Sequence, residues 1–155
     1  VGACFDMGRT YGLQAELICD GFHIHPVALR VAFSQMGEDG TVIVSDSMCA
    51  AGHKDGEYDL GGQTVYVRDG KALLADGTIA ASTSNMYDEL KNVISYGVPM
   101  KQAVKSATIN PAKSIRVDDV TGSIKTGKLA DLLVLDDELN IKLVMVRGQI
   151  KVNNL

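Results

Sequence analysis

The first part of the chain repeats one order of apolar and polar segments. Short apolar runs at residues 17–19 and 41–44 each stop at a polar loop, and a longer amphipathic stretch lies between them. Pro26 suits the first position of a helix there, and Gly37 suits the residue that follows its last turn. The order strand, loop, helix, strand, loop is typical of βα units in a parallel sheet.

After the second unit the pattern changes to that of antiparallel strands. In TVYVRDGKALL, Val65 and Val67 alternate with polar neighbours, and Asp69-Gly70 is a favourable pair for a tight turn. We therefore predict a β-hairpin excursion over about residues 61–79.

Two amphipathic helical patterns follow this hairpin. Ser84 suits the N-cap of the first and Gly97 its end, while Pro99 opens the second and Asn110-Pro111 ends it, with a short helix starting there. The apolar face of the first helix is predicted to contain Met86, Leu90, Val93 and Ile94.

The last segment, residues 122–155, contains the short apolar runs ADLLVLD, KLVMVRG and QIKV between turns, which predict a small antiparallel sheet. Only about two parallel strands precede it, and two strands cannot bury both faces of a parallel sheet. A closed (β/α)₈ barrel takes on the order of 250 residues. We therefore expect the chain to be the closing part of a larger enzyme.

Composition narrows the class of protein further. The 155 residues are 46% hydrophobic, as in globular proteins, and the net charge of −4 gives no basic footprint for nucleic acid. No apolar run reaches the roughly 18 residues of a membrane span. Three unpaired cysteines, Cys4, Cys19 and Cys49, are expected to be packed thiols in a reducing, cytoplasmic compartment.

The stretch VIVSDSMCAAG at residues 42–52 places one acid, Asp46, at the end of a buried strand. Turn chemistry is one explanation, and a catalytic group at the carboxyl end of a parallel strand is the other. His23 lies at the corresponding end of the preceding strand. In a barrel the two ends meet at one mouth, where a carboxylate base and an imidazole that polarises a carbonyl could transfer protons.

The other histidines are weaker candidates. His23 and His25 lie two residues apart, so on an extended segment they would point the same way, and the pattern leaves open a metal site or two ordinary loop histidines. His53 lies in a polar loop and is expected to be exposed. Phosphate-binding glycine loops and a serine nucleophile elbow are both absent.

Five segments match the pattern of a known family. They are DGFHIHP at 20–26, VSDSMCAAG at 44–52, GGQTVYVRDGKALLADGTIAAST at 61–83, SATINPAKSI at 106–115 and GSIKTGKLADLLVLD at 122–136. In this order they resemble the C-terminal part of the N-acetylglucosamine-6-phosphate deacetylase family, within the amidohydrolase superfamily. The last two segments occur in many amidohydrolases, and the first two are more specific to the deacetylases. Ala81 departs from the glycine usual in the third segment.

The resemblance implies an α/β fold. Residues 1–121 would be the C-terminal portion of a metal-dependent (β/α)₈ TIM barrel, and residues 122–155 would supply strands of a small β-sandwich domain. It also implies a divalent metal, Zn or Fe, whose principal ligands lie upstream of the matched region. The expected protein is a cytoplasmic homodimer that acts on an amino-sugar phosphate, with no nucleic-acid or membrane partner.

The resemblance also assigns roles to single residues. Asp46 matches the aspartate that takes a proton from the attacking water and passes it to the departing amine, and it is the one residue here that could contact the metal. His23 matches the histidine that contacts the substrate near the scissile amide. Ser84, Asn85 and Met86 match the loop that lies against the sugar.

The implied activity is hydrolysis of the acetamide of N-acetylglucosamine-6-phosphate by the full-length parent protein, with this chain inactive alone. Two alternatives remain open at this point. One is an amidohydrolase that acts on a cyclic amide or an N-acyl amino acid. The other is a truncated interaction module without catalytic activity.

Overall fold

The computed structural model describes residues 1–155 as a mixed α/β chain. The residues divide into two compact units, Val1–Ala107 and Thr108–Leu155. Each unit has its own helices and strands.

The first unit contains the predicted parallel strands, β1 (Ala15–Ile18) and β2 (Thr41–Val44), joined by helix α2 (Pro26–Met36). The two strands pair in parallel along their whole length, which confirms the predicted βα order. A preceding helix, α1 (Gly2–Tyr11), was not predicted from the sequence. Its two glycines lower helix propensity, and none of its residues is buried, so it lacks a strong apolar stripe.

Local sequence explains where α2 begins and ends. Pro26 occupies the first turn, and the His25 ring accepts a hydrogen bond from the amide of Val27 at 3.2 Å, which caps the helix. Gly37 follows the last turn with φ of 70°, a conformation that glycine adopts without strain. The predicted bounds of this helix are confirmed.

The predicted hairpin is part of a four-stranded antiparallel sheet. Its strands, in sheet order, are β3 (Gly56–Leu60), β4 (Gln63–Arg68), β5 (Lys71–Leu73) and β6 (Ile79–Ala81). The excursion therefore starts earlier than residue 61. β3 has the sequence GEYDL, whose mostly polar residues give little strand signal, and it forms because β4 supplies backbone partners.

The turn of the hairpin lies where it was predicted. Asp69 and Gly70 both have positive φ, 51° and 70°, as a tight two-residue hairpin turn requires. Val65 and Val67 are buried in a small apolar cluster with Met48 and other side chains. The alternation read from the sequence is therefore confirmed.

Two helices complete the first unit, α3 (Met86–Ser95) and α4 (Met100–Ala107). The N-cap of α3 is Asn85 rather than the predicted Ser84. The Asn85 side-chain oxygen accepts hydrogen bonds from the amides of Tyr87 and Asp88, both at 3.0 Å, and Asn is an equally good cap residue.

The main core of this unit lies between the parallel strands and helices α2, α3 and α4. Its largest completely buried side chains are Phe33, Leu29, Ile43 and Val93. Met86 does not belong to it, because its side chain is 38% exposed. The buried face of α3 instead comprises Glu89, Leu90 and Val93.

The second unit contains helix α5 (Ile109–Ser114) and the predicted antiparallel sheet, with strands β7 (Leu132–Leu135), β8 (Ile141–Val146) and β9 (Gln149–Asn153) in sequence order. Helix α5 begins before Pro111, which occupies its first turn. None of the helices in the structure is both long and apolar enough to cross a membrane.

Candidate functional site

Two loops leave the same edge of the parallel pair. Because β1 and β2 run in parallel, the loop after β1 and the loop after β2 both start at the carboxyl end of the pair. The first loop contains His23 and the second contains Asp46. Chemistry in open α/β sheets is usually found at this end of the strands.

The first loop is organised around Asp20. One carboxylate oxygen of Asp20 accepts hydrogen bonds from the amides of Phe22 and His23, at 2.8 and 2.9 Å. The other lies 2.7 Å from Nδ1 of the His23 ring. Both side chains are largely buried, 15% and 17% exposed, so Asp20 fixes the loop and the ring together.

The electrostatics of this pair favour an ionised Asp20. Burial raises the pKa of its carboxyl, but hydrogen bonds from the backbone and ring of His23 and from the backbone of Phe22 lower the pKa more, and the net shift is downward. When both ring nitrogens carry a proton, Nδ1–H donates to the carboxylate and Nε2–H is left as a second donor. His23 can then act on a substrate through Nε2.

Asp20 is a functional candidate that the sequence analysis missed. The available signal was an acid three residues before a histidine in a turn, a spacing that lets the acid bond both the backbone and the ring.

The loop after β2 presents Asp46 to solvent. Its backbone carbonyl accepts a hydrogen bond from the amide of Ser82 at 3.2 Å, and the amide of Met48 donates to the carbonyl of Ser82 at 3.0 Å. The residue has φ of 47°, a conformation that Asp tolerates better than most residues. Its carboxylate accepts no hydrogen bond from this chain and is exposed. The backbone is thus fixed while the acid is left accessible.

A serine cluster connects this loop to the start of α3. The Ser47 hydroxyl donates to the carbonyl of Ser84, and the hydroxyls of Ser82 and Ser84 lie 2.7 Å apart. The Ser84 hydroxyl also donates to the carboxylate of Glu89. The structure therefore brings Ser84 to the Asp46 loop.

The other two residues matched to the sugar-binding loop have different surroundings. The Asn85 side-chain oxygen caps α3, and its amide donates to Asp88 at 2.7 Å, so both ends of its side chain are used within the helix turn. Met86 is exposed beside it and makes no polar contact. Of the three residues, only Ser84 bonds the loop that contains Asp46.

The remaining histidines and cysteines lie apart from this arrangement. His25 caps α2 whereas His23 contacts Asp20, so Nδ1 of the two rings has different partners. His53 is exposed, as predicted. Cys19 is buried as predicted, but the expectation of a packed Cys49 is wrong. Its thiol is exposed and donates to the carbonyl of Asp59 at 3.4 Å, while Met48 and Ala50 on either side are buried.

The side chains of this chain do not form a complete metal site. No three His, Cys, Asp or Glu residues lie close enough together to hold an ion. Asp46 has a free carboxylate and could supply one ligand oxygen, whereas the His25 ring is occupied as a helix cap. Any resident metal therefore needs ligands other than these.

Sequence comparisons connect this geometry to known proteins. The profile of the amidohydrolase family matches residues 22–151. N-acetylglucosamine-6-phosphate deacetylase of Bacillus subtilis (strain 168) is 37% identical over 140 residues, which are 90% of this chain and 35% of that protein. The putative N-acetylgalactosamine-6-phosphate deacetylase of Escherichia coli (strain K12) is 35% identical over 136 residues, which are 87% of this chain and 81% of that protein. The chain thus spans about a third of the first relative and most of the second.

Solved structures show the same similarity in three dimensions. The N-acetylglucosamine-6-phosphate deacetylase of Pasteurella multocida superposes with a TM-score of 0.90 at 32% identity, over 99% of this chain and 39% of that one. An Asp-to-Ala mutant of the Mycobacterium smegmatis deacetylase was solved in complex with N-acetyl-D-glucosamine-6-phosphate. It superposes with a TM-score of 0.88 at 31% identity, over 97% of this chain and 40% of that one. With the profile matched over most of its length, the chain belongs to the amidohydrolase family.

Proposed function

We propose that this chain contributes the Asp46 and His23 part of the active site of an N-acetylglucosamine-6-phosphate deacetylase. The observation that carries the proposal is the shared edge of β1 and β2, which presents an accessible carboxylate and an oriented imidazole from adjacent loops. Relatives named for this activity or its galactosamine counterpart align along most of the chain. The reaction breaks the amide C–N bond of the substrate and yields acetate and the free amino sugar phosphate.

Asp46 is proposed as the base of this reaction. Its carboxylate takes a proton from the attacking water and returns it to the amine nitrogen as the C–N bond breaks. Its exposure and its freedom from internal hydrogen bonds leave both oxygens available for these transfers.

His23 is proposed to contact the carbonyl oxygen of the acetamide. Its Nδ1 is held by Asp20, so Nε2 is the nitrogen available to the substrate. Ser84, Asn85 and Met86 are proposed to line the sugar side of the site, and the hydrogen bond from Ser47 to the carbonyl of Ser84 supports this for Ser84. A divalent metal, Zn or Fe, would need ligands from outside this chain.

The fold assignment that accompanies this function is also a proposal. Residues 1–121 would be the closing βα units of a (β/α)₈ barrel with the hairpin excursion inserted, and residues 122–155 would be strands of a small β-sandwich. The parallel pairing of β1 with β2 supports the first part. The second is supported by the apolar residues that the tail sheet leaves exposed, among them Leu133, Val134 and Ile150.

Acetate release from the protein expressed from its full natural reading frame tests the proposed function. The substrates to compare are the 6-phosphates of N-acetylglucosamine and N-acetylgalactosamine, a cyclic amide and an N-acetyl amino acid. The expected result is turnover of N-acetylglucosamine-6-phosphate that depends on added divalent metal. Preference for the cyclic amide or the amino-acid derivative would overturn the substrate assignment.

The 155-residue chain by itself is the matched control in that assay. We expect it to release no acetate, because its side chains do not complete a metal site. Light scattering on the same samples tests the proposed homodimer. The alternative is a non-catalytic interaction module. It would be supported if the 155-residue chain is dimeric and metal-free and the protein from the full reading frame has no deacetylase activity.

A further inference from the structure

Glu89 is a buried acid that the proposed reaction does not use. It lies in the first turn of α3 and has no exposed surface. One carboxylate oxygen accepts a hydrogen bond from the Ser84 hydroxyl, and the carboxyl also faces the backbone of Cys19, which directly follows β1. Buried acids are rare and costly, so this position calls for a physical explanation.

The titratable groups that face Glu89 come from the loop after β1 and from α3 itself. They are Cys19, Asp20, His23 and Tyr96. Burial raises the pKa of Glu89, the hydrogen bond from Ser84 lowers it, and the Asp20 carboxylate raises it, with an upward net shift.

The same neighbourhood acts on the other acids. Burial, with the charges of Glu89 and Asp20, raises the pKa of the Cys19 thiol to about 12. Burial also raises the pKa of Tyr96, again with contributions from these carboxyls. The pKa of Asp20 is instead lowered, because of its hydrogen bonds within the loop. Two neighbouring carboxyls are thus pushed in opposite directions, toward a charged Asp20 and a neutral Glu89.

Hydrogen bonds lead from Glu89 to the second loop. Its Ser84 partner lies 2.7 Å from the Ser82 hydroxyl and accepts, at its carbonyl, a bond from Ser47. Ser82 in turn bonds the backbone of Asp46. Glu89 therefore lies between the loop that contains His23 and the loop that contains Asp46.

We propose that Glu89 is a positioning residue that holds Ser84 and the Asp20–His23 loop at a fixed distance from each other. A protonated carboxyl can accept from Ser84 with one oxygen and repels the Asp20 carboxylate less than an ionised carboxyl would. The inference rests on the proposed function for its catalytic consequence. The structural part, the coupling of Glu89 to both loops, is independent of which substrate is turned over.

Three variants of the protein expressed from its full natural reading frame test the inference. Glu89→Gln keeps an uncharged oxygen that can accept from Ser84, and Glu89→Leu removes the polar group. Glu57→Gln makes the matched substitution at an exposed strand position. Circular dichroism and metal content establish that each variant is folded and loaded before kinetics are measured.

Glu89→Leu is expected to lower kcat about 10- to 100-fold with a smaller change in KM, because the two reacting side chains lose their fixed spacing. Glu89→Gln is expected to stay within about threefold of the parent kcat from about pH 6 to 8, since an uncharged oxygen remains at that site. Glu57→Gln is expected to match the parent protein.

Nuclear magnetic resonance gives a readout that does not depend on turnover. The ring ¹⁵N signals of His23 and the amide signals of Ser47 are expected to shift in Glu89→Leu and to remain in place in Glu57→Gln. If the parent protein deacetylates none of the amino-sugar phosphates, the proposed function is wrong. The His23 and Ser47 signals would still show whether Glu89 couples the two loops.

Two results would overturn the inference. One is a folded Glu89→Leu protein with the kcat of the parent and unshifted His23 and Ser47 signals. The other is a Glu89→Gln protein whose kcat falls as far as that of Glu89→Leu, because this result would mean that the site needs a charged carboxylate. If Glu89→Leu does not fold, Ser84→Ala removes the same hydrogen bond from the opposite side, and unshifted His23 signals in that variant would likewise contradict the coupling.

Discussion

Asp20 and His23 form one unit in this structure, with a carboxylate oxygen 2.7 Å from Nδ1 of the ring and the second oxygen bonded to the loop backbone. A single acid thus fixes both the path of the loop and the direction of the imidazole. Carboxylate–imidazole pairs of this kind set which ring nitrogen is available for chemistry.

Replacing Asp20 with Asn separates these two effects. The Asn oxygen can still accept from the amides of Phe22 and His23, but the charge beside the ring is lost. We expect kcat for deacetylation to fall about 10- to 100-fold in a folded protein, measured on the full natural reading frame.

The control is Asp76→Asn, which alters an exposed acid that also accepts a backbone hydrogen bond, from Thr78 at 2.9 Å. Because the pKa of Asp20 is lowered in the folded state, its stabilising effect is present above the ordinary pKa of 3.8 and is lost as pH falls through the lowered value. Parent-like kcat in folded Asp20→Asn would contradict the role given to this pair.

Asp46→Asn tests the base assignment with little structural disturbance. Asn adopts positive φ readily, and the carboxylate has no internal partner to lose. We expect kcat to fall about 10²- to 10⁴-fold. Substrate affinity, measured by isothermal titration calorimetry, should change far less, and the free energy of unfolding should stay within about 0.5 kcal/mol.

Asp69→Asn is the matched control for that variant. Asp69 is also an exposed acid with positive φ, 51° against 47° for Asp46, but it lies in the hairpin turn. It should retain the parent kcat. Equal activity of the two variants would remove Asp46 from the reaction.

Glu89 should make the stability of the protein depend on pH. Its pKa is raised in the folded state above the ordinary 4.5, so the folded protein binds the proton more tightly than the unfolded chain does. The free energy of unfolding should therefore fall as pH rises from about 4.5 through the raised pKa, and Glu89→Gln should lose this dependence.

Urea unfolding across about pH 5 to 8 measures this effect. The difference in unfolding free energy between Glu89→Gln and the parent should grow as pH rises, while Glu57→Gln should follow the parent curve. A constant difference across the range would mean that Glu89 titrates near its ordinary pKa.

Gly21 has a steric as well as a conformational requirement. Its φ is 76°, and a Cβ there would overlap the Tyr96 hydroxyl. Gly21→Ala should therefore destabilise the protein by about 2–4 kcal/mol. Gly12 has φ of 71° and open space around it, so Gly12→Ala introduces only backbone strain. It should lower the free energy of unfolding by about 1–2 kcal/mol.

Chemical denaturation of both variants checks this difference. Adding Tyr96→Phe to Gly21→Ala removes the overlapping oxygen, so the double variant should recover part of the lost stability. If Gly21→Ala and Gly12→Ala are equally destabilised, Tyr96 does not restrict this position.

The local elements of the fold were predictable because each is encoded within a few residues. The bounds of α2 follow from Pro26 and Gly37, and the hairpin turn follows from Asp69-Gly70 between alternating positions. Strand β3 was missed because its polar sequence becomes a strand only when β4 pairs with it. Helix α1 was missed because its glycines and exposed residues weaken the helical pattern.

The candidate site was likewise only partly predictable from the sequence. The sequence indicated Asp46 and His23, because each follows a recognisable buried strand, and the resemblance added Ser84. The sequence did not indicate that Cys49 is exposed between two buried residues, Met48 and Ala50. Nor did the helical pattern reveal Glu89, a charged residue that the pattern places on no apolar face.

The sequence by itself determined the order of β1, α2 and β2, the turn of the hairpin and the family, since short-range patterning and motif order suffice for these. Only the tertiary structure decided that Asp20 holds the His23 ring, that Asn85 caps α3, and that Glu89 is buried beside the first loop. Burial and hydrogen-bond partners depend on which distant segments pack together, and packing is a property of the folded chain.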